Sequence, residues 1–437
     1  MSDDTPPPWR RRHKRHELDT PGALADRLEV SRDLAGWVVQ GLDLSALDTG
    51  AVEVDGAVFL GCSFGGSEQL LDLVRRGAAV FPRLRGLPYD PYRVRLYTVD
   101  ELLEGYEDGG YAATRDFRIY AHFDRERHHP EGTSLRESLA QRLHDHGIDD
   151  ALEEALETHR GRGVVGIMGG HGTARSAPEF REVARIAWEL TRAGFLVAGG
   201  GGPGVMEAAN LGAYLSAYAR PEVLDAAIAE LSVADRFDGG EAEGTPAYLA
   251  AVRAYFQAGR AVVDRLGPGA GEAVAREFDR DRDLPGASLA VPTWFYGHEP
   301  TNLFATHVAK YFANGLREDG LLAIATAGVV YAPGSAGTLQ EVFMDLAQNH
   351  YATFAFRSPM VFLGRERYRG LVDLVRAFVR EQGMETVYGD LIALVDGAEE
   401  AVAFLEANPP RLRPRPPALY ELPGTWTPPM EPLTDRS

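Results

Sequence analysis

Three glycine-rich stretches are the parts of this chain best suited to chemistry: Gly169-Gly170-His171-Gly172, Gly199-Gly200-Gly201-Gly202-Pro203-Gly204 and Pro333-Gly334-Ser335-Ala336-Gly337-Thr338. Each follows a short apolar run and opens a stretch with helical spacing. The first N–H groups of a helix lack partners and carry partial positive charge, so such a loop holds an anion without a lysine. One loop of this kind also serves as a tight turn; three at equivalent positions point to a phosphate-bearing ligand. Candidate contacts are Gly170, His171, Gly200, Gly201, Gly202 and Gly204, with Met206 and Glu207 just beyond the second loop. After the third loop, Thr338 and Glu341 fit a capping box. With Leu339, Val342, Phe343, Leu346 and Ala347 as the buried stripe, Glu341 faces the other way, an accessible carboxylate able to order a water or a sugar hydroxyl.

The ligand class narrows by exclusion. The second loop satisfies G-x-G-x-x-G, but a dinucleotide site also needs a strand ending in an acidic residue about 20 residues on. Arg220–Leu231 reads as a helix instead, which disfavours a dehydrogenase. No G-x-x-x-x-G-K-[ST] occurs, so a P-loop is excluded, and a mononucleotide or sugar phosphate is the better fit. With 45 Lys and Arg against 64 Asp and Glu, the net charge is −19, and no nucleic-acid partner is expected. The single cysteine, Cys62, excludes an internal disulfide framework and suits a reducing cytoplasm. No run approaches about 18 apolar residues, so no membrane span is expected, and the start does not read as a signal peptide.

The elements that must position these loops alternate as βα units. Apolar runs at Val164–Met168, Phe195–Ala198, Ser288–Pro292, Gly328–Tyr331, Met360–Leu363 and Leu391–Val395 read as buried strands. Helices are expected at Pro178–Ala193, Val205–Ala217, Thr301–Leu316, Thr338–His350, Leu371–Glu381 and Ala398–Leu405. This is the pattern of an α/β chain with a doubly wound, mostly parallel, Rossmann-like sheet and helices on both faces. The expected organisation is a flexible tail (1–20), an N-terminal α/β region (21–160), the nucleotide-binding domain (161–407) with a helical insertion (219–285), and a proline-rich tail (408–437). Within the N-terminal region, helical spacing runs over 21–48, a strand covers Val52–Leu60, and Ser134–Leu156 is a helix. No internal repeat of 20–50 residues stands out.

Gly199–Asn210 (GGGGPGVMEAAN) and Pro333–Glu341 (PGSAGTLQE) resemble the two signatures of the Lonely Guy (LOG) family, GGGxxGxM and PGGxGTxxE. The family includes cytokinin riboside 5′-monophosphate phosphoribohydrolases and broader nucleotide 5′-monophosphate nucleosidases. The resemblance spans about 160–405 outside the insertion. It implies hydrolysis of the N-glycosidic bond of a nucleoside 5′-monophosphate, releasing free base and ribose 5-phosphate. It places phosphate on the loop Gly334, Ser335, Ala336, Gly337 and Thr338, and catalysis on Glu341 and Arg317. Ser335 stands where the signature has its second glycine, a strained position for serine if the backbone there needs positive φ. The resemblance also implies a homodimer or higher oligomer. The alternative is a non-catalytic nucleotide sensor or carrier on the same fold.

No metal or organic cofactor is expected. His128-His129 and His144-x-His146 lack accompanying ligands at metal spacing. Many LOG proteins have been named lysine decarboxylases, but pyridoxal phosphate chemistry needs a lysine at the site. The only lysines are Lys14, in the tail, and Lys310, which reads as a surface residue of the helix Thr301–Leu316. On that helix His307 reads as a core residue. Trp294, Phe295 and Tyr296 read as core aromatics, with stacking on a base as the alternative.

Overall fold

The computed structural model describes residues 16–158, 162–267, 286–297 and 300–413. The basic run Arg10–Arg15, the end of the insertion (268–285) and the proline-rich stretch beyond 413 lie outside the described residues.

Seven parallel strands form the central sheet: β5 (Val164–Met168), β6 (Leu196–Gly199), β7 (Ser288–Ala290), β8 (His307–Val308), β9 (Gly328–Tyr331), β11 (Met360–Leu363) and β12 (Ile392–Val395), in the order β12-β11-β9-β5-β6-β7-β8. Their residues alternate between two apolar cores. Val164, Met168, Val329, Tyr331 and Phe362 face one, with the helices Leu135–Thr158 and Arg365–Glu381 packed over it. Val165, Ile167, Val330 and Val361 face the other, under the helices Pro178–Arg192, Val205–Leu215 and Ala398–Ala407. The fold is the doubly wound, Rossmann-like sheet read from the sequence. A short antiparallel pair, β10 (Phe356–Arg357) with β13 (Arg411–Leu412), closes the C-terminal side. From β5 the chain winds outward through β6, β7 and β8, then returns to the other side of β5 as β9. The order therefore reverses between β5 and β9, where open α/β sheets bind ligands.

The expected helix Thr301–Leu316 is not formed. The segment runs extended as β8, with Thr306 N donating to Ser288 O (3.1 Å), Ala309 N to Ala290 O (2.8 Å) and Tyr311 N to Pro292 O (3.1 Å). The helix begins only at Asn314 and ends at Ile324. His307 is consequently exposed on a strand, not in a core. Lys310 is not a surface residue. Its side chain is 1% exposed, and its Nζ lies 2.8 Å from Asp116 Oδ1. Asp116, on the helix Arg115–Arg127, also accepts a 2.8 Å bond from Trp294 Nε1. A buried lysine at an inward position hid the strand's alternation, because lysine is almost never fully buried unless paired.

The N-terminal region departs further from expectation. The helix covers only Pro21–Val30, and β1 (Glu17–Leu18), β2 (Val38–Gln40), β3 (Val58–Leu60) and β4 (Ala79–Phe81) stack as a second parallel sheet. Glu17 pairs with Val38, Val38 with Val58 and Val58 with Ala79. The chain thus advances one strand every 20 or 21 residues, a short solenoid that the sequence reading missed. Leu34 and Val54, Val39 and Phe59, and Leu42 and Cys62 recur at equivalent places in its core. Gly36, Gly56 and Gly77 turn the chain at φ of 71°, 70° and 89°. Few identities survive between the two full coils, 33–45 and 53–65, so the repeat is carried by apolar pattern and turn glycines.

The Asp116–Lys310 pair yields a direct prediction. Lys310→Met alone leaves a buried carboxylate without its counter-ion and should cost about 3–5 kcal/mol. Adding Asp116→Asn removes the charge while keeping an acceptor for Trp294, and should restore most of that loss. Urea unfolding midpoints of the parent, both single variants and the double variant measure this. Additive losses would exclude the coupling.

Candidate functional site

The three glycine loops emerge at the carboxyl ends of β5, β6 and β9 and lock together through main-chain atoms. Gly170 N donates to Pro333 O at 3.0 Å, and Val205 N donates to Gly170 O at 3.1 Å. Asn302 fastens the second loop: its N donates to Gly201 O (2.8 Å) and its Nδ2 to Gly202 O (3.3 Å) and Asn210 Oδ1 (2.8 Å). The closeness of the loops demands glycine, as Gly204 and Gly334 show. Gly204 has φ of 70°, and a Cβ there would lie 2.5 Å from Gly170 O. A Cβ on Gly334 would collide with the Thr338 side chain. Ser335, by contrast, is extended (φ −109°, ψ −152°), a conformation serine adopts freely. Its place in the loop therefore introduces no left-handed strain.

A cavity of ≈ 340 Å³ opens where these loops meet, at the reversal of strand order. Eleven of the residues singled out from the sequence line it: Gly170, His171, Gly200, Gly202, Met206, Tyr296, Arg317, Ser335, Gly337, Thr338 and Glu341. Gly201, Gly204, Gly334 and Ala336 belong to the loops but not to its lining. Glu207 is placed elsewhere. Its carboxylate is buried, 2.5 Å from Arg175 Nη2, and also accepts from Tyr255 OH. It ties Arg175, three residues beyond the first loop, to the insertion helix Pro246–Leu266, so its charge is not offered to the cavity.

Arg317 and Glu341 come together although 24 residues separate their numbers. Arg317 Nη1 lies 3.6 Å from Glu341 Oε1, and its Nε donates to Val291 O at 3.0 Å. Arg317 also rests against Gly200, where a Cβ would stand 2.5 Å from Nη2. The start of its helix is held by Asp145, whose two oxygens accept from Phe312 N (3.0 Å) and Ala313 N (2.9 Å). Asp145 comes from the helix Leu135–Thr158, so the N-terminal region sets the arginine's position.

The helix carrying Glu341 starts earlier than expected, at Ala336, with Ser335 rather than Thr338 at its N-cap. Its buried face is Thr338, Val342, Asp345, Leu346 and Asn349, while Leu339 and Phe343 are 44% and 48% exposed. The inward polar residues are satisfied: Tyr331 OH donates to Asp345 Oδ2 (2.7 Å) and Asn349 Nδ2 to Asp345 Oδ1 (3.0 Å). Of the expected apolar stripe only Val342 and Leu346 are buried, and Glu341 sits on the flank of the buried face, its side chain 13% exposed. Burial pushes its carboxyl up to about 7, against the opposing pull of Arg317.

The cavity is also lined by Glu318, to which the sequence reading assigned no role, and by Tyr296, expected in the core or stacked on a base. Glu318 accepts from Tyr296 OH (3.2 Å) and from Gln340 Nε2 (2.8 Å). Of the three aromatics expected in the core only Trp294 is there; Phe295 is 42% and Tyr296 56% exposed, and Tyr296 lines the cavity. Only the adjacency of Glu318 to Arg317 could have flagged it. Among the described residues, the ligand atoms of Glu17, His146 and Asp150 lie within 4.8 Å of one another. His146 thus has carboxylate neighbours that its sequence spacing did not reveal, and they lie apart from the glycine-loop cavity. Also among the described residues, no helix is long and apolar enough to cross a membrane.

No family model matches the chain, and no curated protein matches it. Among solved structures it is similar to the molybdenum cofactor binding protein of the phototrophic bacterium Rippkaea orientalis, at 12% identity and a TM-score of 0.29, over 56% of this chain and 96% of that one. It is also similar to the Moco carrier protein of Chlamydomonas reinhardtii, at 14% identity and a TM-score of 0.28, again over 56% and 96% of the two chains.

The buried carboxyl of Glu341 sets a pH-dependent cost on folding. In the unfolded chain it ionises near 4.5, in the folded one near 7. Between those values the unfolded state has released a proton that the folded state keeps, so stability falls as pH rises through this window, by about 3 kcal/mol. Glu341→Gln removes that loss. It should be more stable than the parent at pH 8 and nearly equal to it at pH 4.5 in denaturant titrations. A carboxylate acting only as a helix cap predicts the opposite sign at pH 8.

Proposed function

We propose that the cavity binds a nucleoside 5′-monophosphate and hydrolyses its N-glycosidic bond. The observation that carries this reading is the meeting of Arg317 and Glu341, 3.6 Å apart, at a cavity also lined by all three glycine loops. The N-terminal end of the helix Ala336–Tyr351 offers main-chain N–H groups to the 5′-phosphate, and Ser335 and Thr338 add hydroxyls. The resemblance of Pro333–Glu341 to the LOG signature supports placing phosphate there.

Cleavage of an N-glycosidic bond passes through an oxocarbenium-like ribosyl cation. Water adds its oxygen to C1′ and gives up a proton, while the C1′–N bond electrons leave with the base, which takes up a proton. In the ionised form, Glu341 stabilises the ribosyl cation and orients or deprotonates the water. Arg317 balances the charge of that carboxylate and supplies donors to phosphate or departing base. A carboxyl held near 7 by burial suits a group that must take up and release a proton at neutral pH. No step in this scheme draws on a metal or organic cofactor. Lys310, fixed on Asp116, offers no free amine for a Schiff base.

Purified protein incubated with AMP, GMP, CMP, UMP and IMP should release free base, detected by chromatography. Glu341→Gln should lower kcat by ~10²-fold or more while nucleotide still binds. Nucleotide binding without base release from any member of the panel would favour the carrier reading instead. Because the ionised carboxylate is the working form, kcat/KM should fall about tenfold per pH unit below about 7. A flat profile from pH 5 to 8 would remove Glu341 from catalysis. By calorimetry, AMP should bind far more tightly than adenosine; equal affinities would defeat the phosphate assignment.

A further inference from the structure

A second, smaller cavity of ≈ 170 Å³ adjoins the first, and His171 and Tyr296 line both. Its far wall is the insertion's turn Asp235–Asp238. That turn is fastened just beyond the first glycine loop: Arg175 N donates to Asp235 O (2.9 Å) and Ser176 N to Asp235 Oδ1 (2.7 Å). Phe237 is held edge-on against Tyr248 and Tyr255, at ring distances of 6.1 and 5.7 Å. Arg236 and Asp238 pair side by side, Nε to Oδ1 at 3.1 Å and Nη2 to Oδ2 at 3.3 Å, with both side chains nearly half exposed. The bond from Arg236 holds the Asp238 carboxyl below its ordinary range, so it is a carboxylate at neutral pH.

We propose that this side cavity receives the base of the nucleotide, and that the Arg236–Asp238 pair selects guanine. The inference rests on the nucleotide reading above. With phosphate on the third loop and the glycosidic carbon beside Glu341 and Arg317, the base must extend past the seam formed by His171 and Tyr296. The Tyr296 ring at that seam supplies an aromatic face. The side cavity is unsuited to the phosphate end, because Asp235 and Asp238 outnumber Arg236 there. Parted to take a ligand, Arg236 and Asp238, the latter also accepting from Gly240 N (2.9 Å), match two adjacent edges of one base. Guanine presents two neighbouring donors, N1–H and the 2-amino group, to a carboxylate, and its O6 and N7 to a guanidinium. Adenine offers one amino group and no ring N–H on that edge, and hypoxanthine lacks the 2-amino group.

The test compares kcat/KM for GMP, IMP and AMP in the parent and in Asp238→Asn, and calorimetric affinities for the same nucleotides in Glu341→Gln with and without Asp238→Asn. The parent should prefer GMP to IMP by ~10-fold and GMP to AMP by ~100-fold. Asp238→Asn should collapse the GMP-to-IMP ratio to near one. The ratio is internal to each protein, so a partly unfolded variant does not distort it. Arg236→Gln, which leaves the carboxylate in place, should weaken GMP and IMP together. Equal parent rates on all three nucleotides, or an unchanged GMP-to-IMP ratio in Asp238→Asn, would overturn the base assignment and leave the hydrolase reading intact. Guanine-selective binding without base release would sustain this inference and defeat the hydrolase reading. Failure of any nucleotide to bind would end both.

Discussion

Main chain against main chain is the contact on which the site depends. Three loops from three parallel strands approach so closely at the reversal of strand order that Gly170 and Pro333, and Val205 and Gly170, bond directly through backbone atoms. Such proximity leaves no room for side chains at Gly204 or Gly334. It converts three separate turns into one rigid floor whose dipoles converge, without any cationic side chain in the loops themselves. A site of this build needs no loop lysine to hold the anion proposed for it.

Around that floor, buried ions hold the parts that glycine cannot. Asp145 fixes the start of the helix bearing Arg317, Asp116 with Lys310 fixes the extended segment around β8, and Glu207 with Arg175 fixes the insertion. Each joins elements distant in sequence. A buried pair adds little net stability over an apolar replacement, but a mispaired arrangement is heavily penalised. Such pairs specify one geometry among several that apolar packing alone would tolerate.

The strands β5, β9 and β11 were legible because each is an apolar run bounded by glycine or polar residues, and the loops because glycine is concentrated there. The extended segment around Lys310 was not, since its inward positions include a lysine whose partner, Asp116, lies in a stretch with no strong periodicity. The solenoid was missed because its repeat conserves turn glycines and apolar character rather than identity. On the helix after the third loop, Asp345 and Asn349 face inward while Leu339 and Phe343 face outward, inverting the pattern a hydrophobic stripe relies on. The proximity of Arg317 to Glu341 depends on how two helices lie against β5 and β9, which no local pattern encodes. The insertion's turn near His171 is of the same kind: only the fold brings Asp235–Asp238 to the first loop.

The burial of Lys310 has a practical corollary. The chain has only one other lysine, Lys14, so amine-directed reagents find almost nothing to modify on the folded protein. Succinimidyl esters and reductive methylation would register Lys310 only when the segment opens, and acylation of that one amine, followed by mass spectrometry, becomes a site-resolved clock for local unfolding beside the cavity.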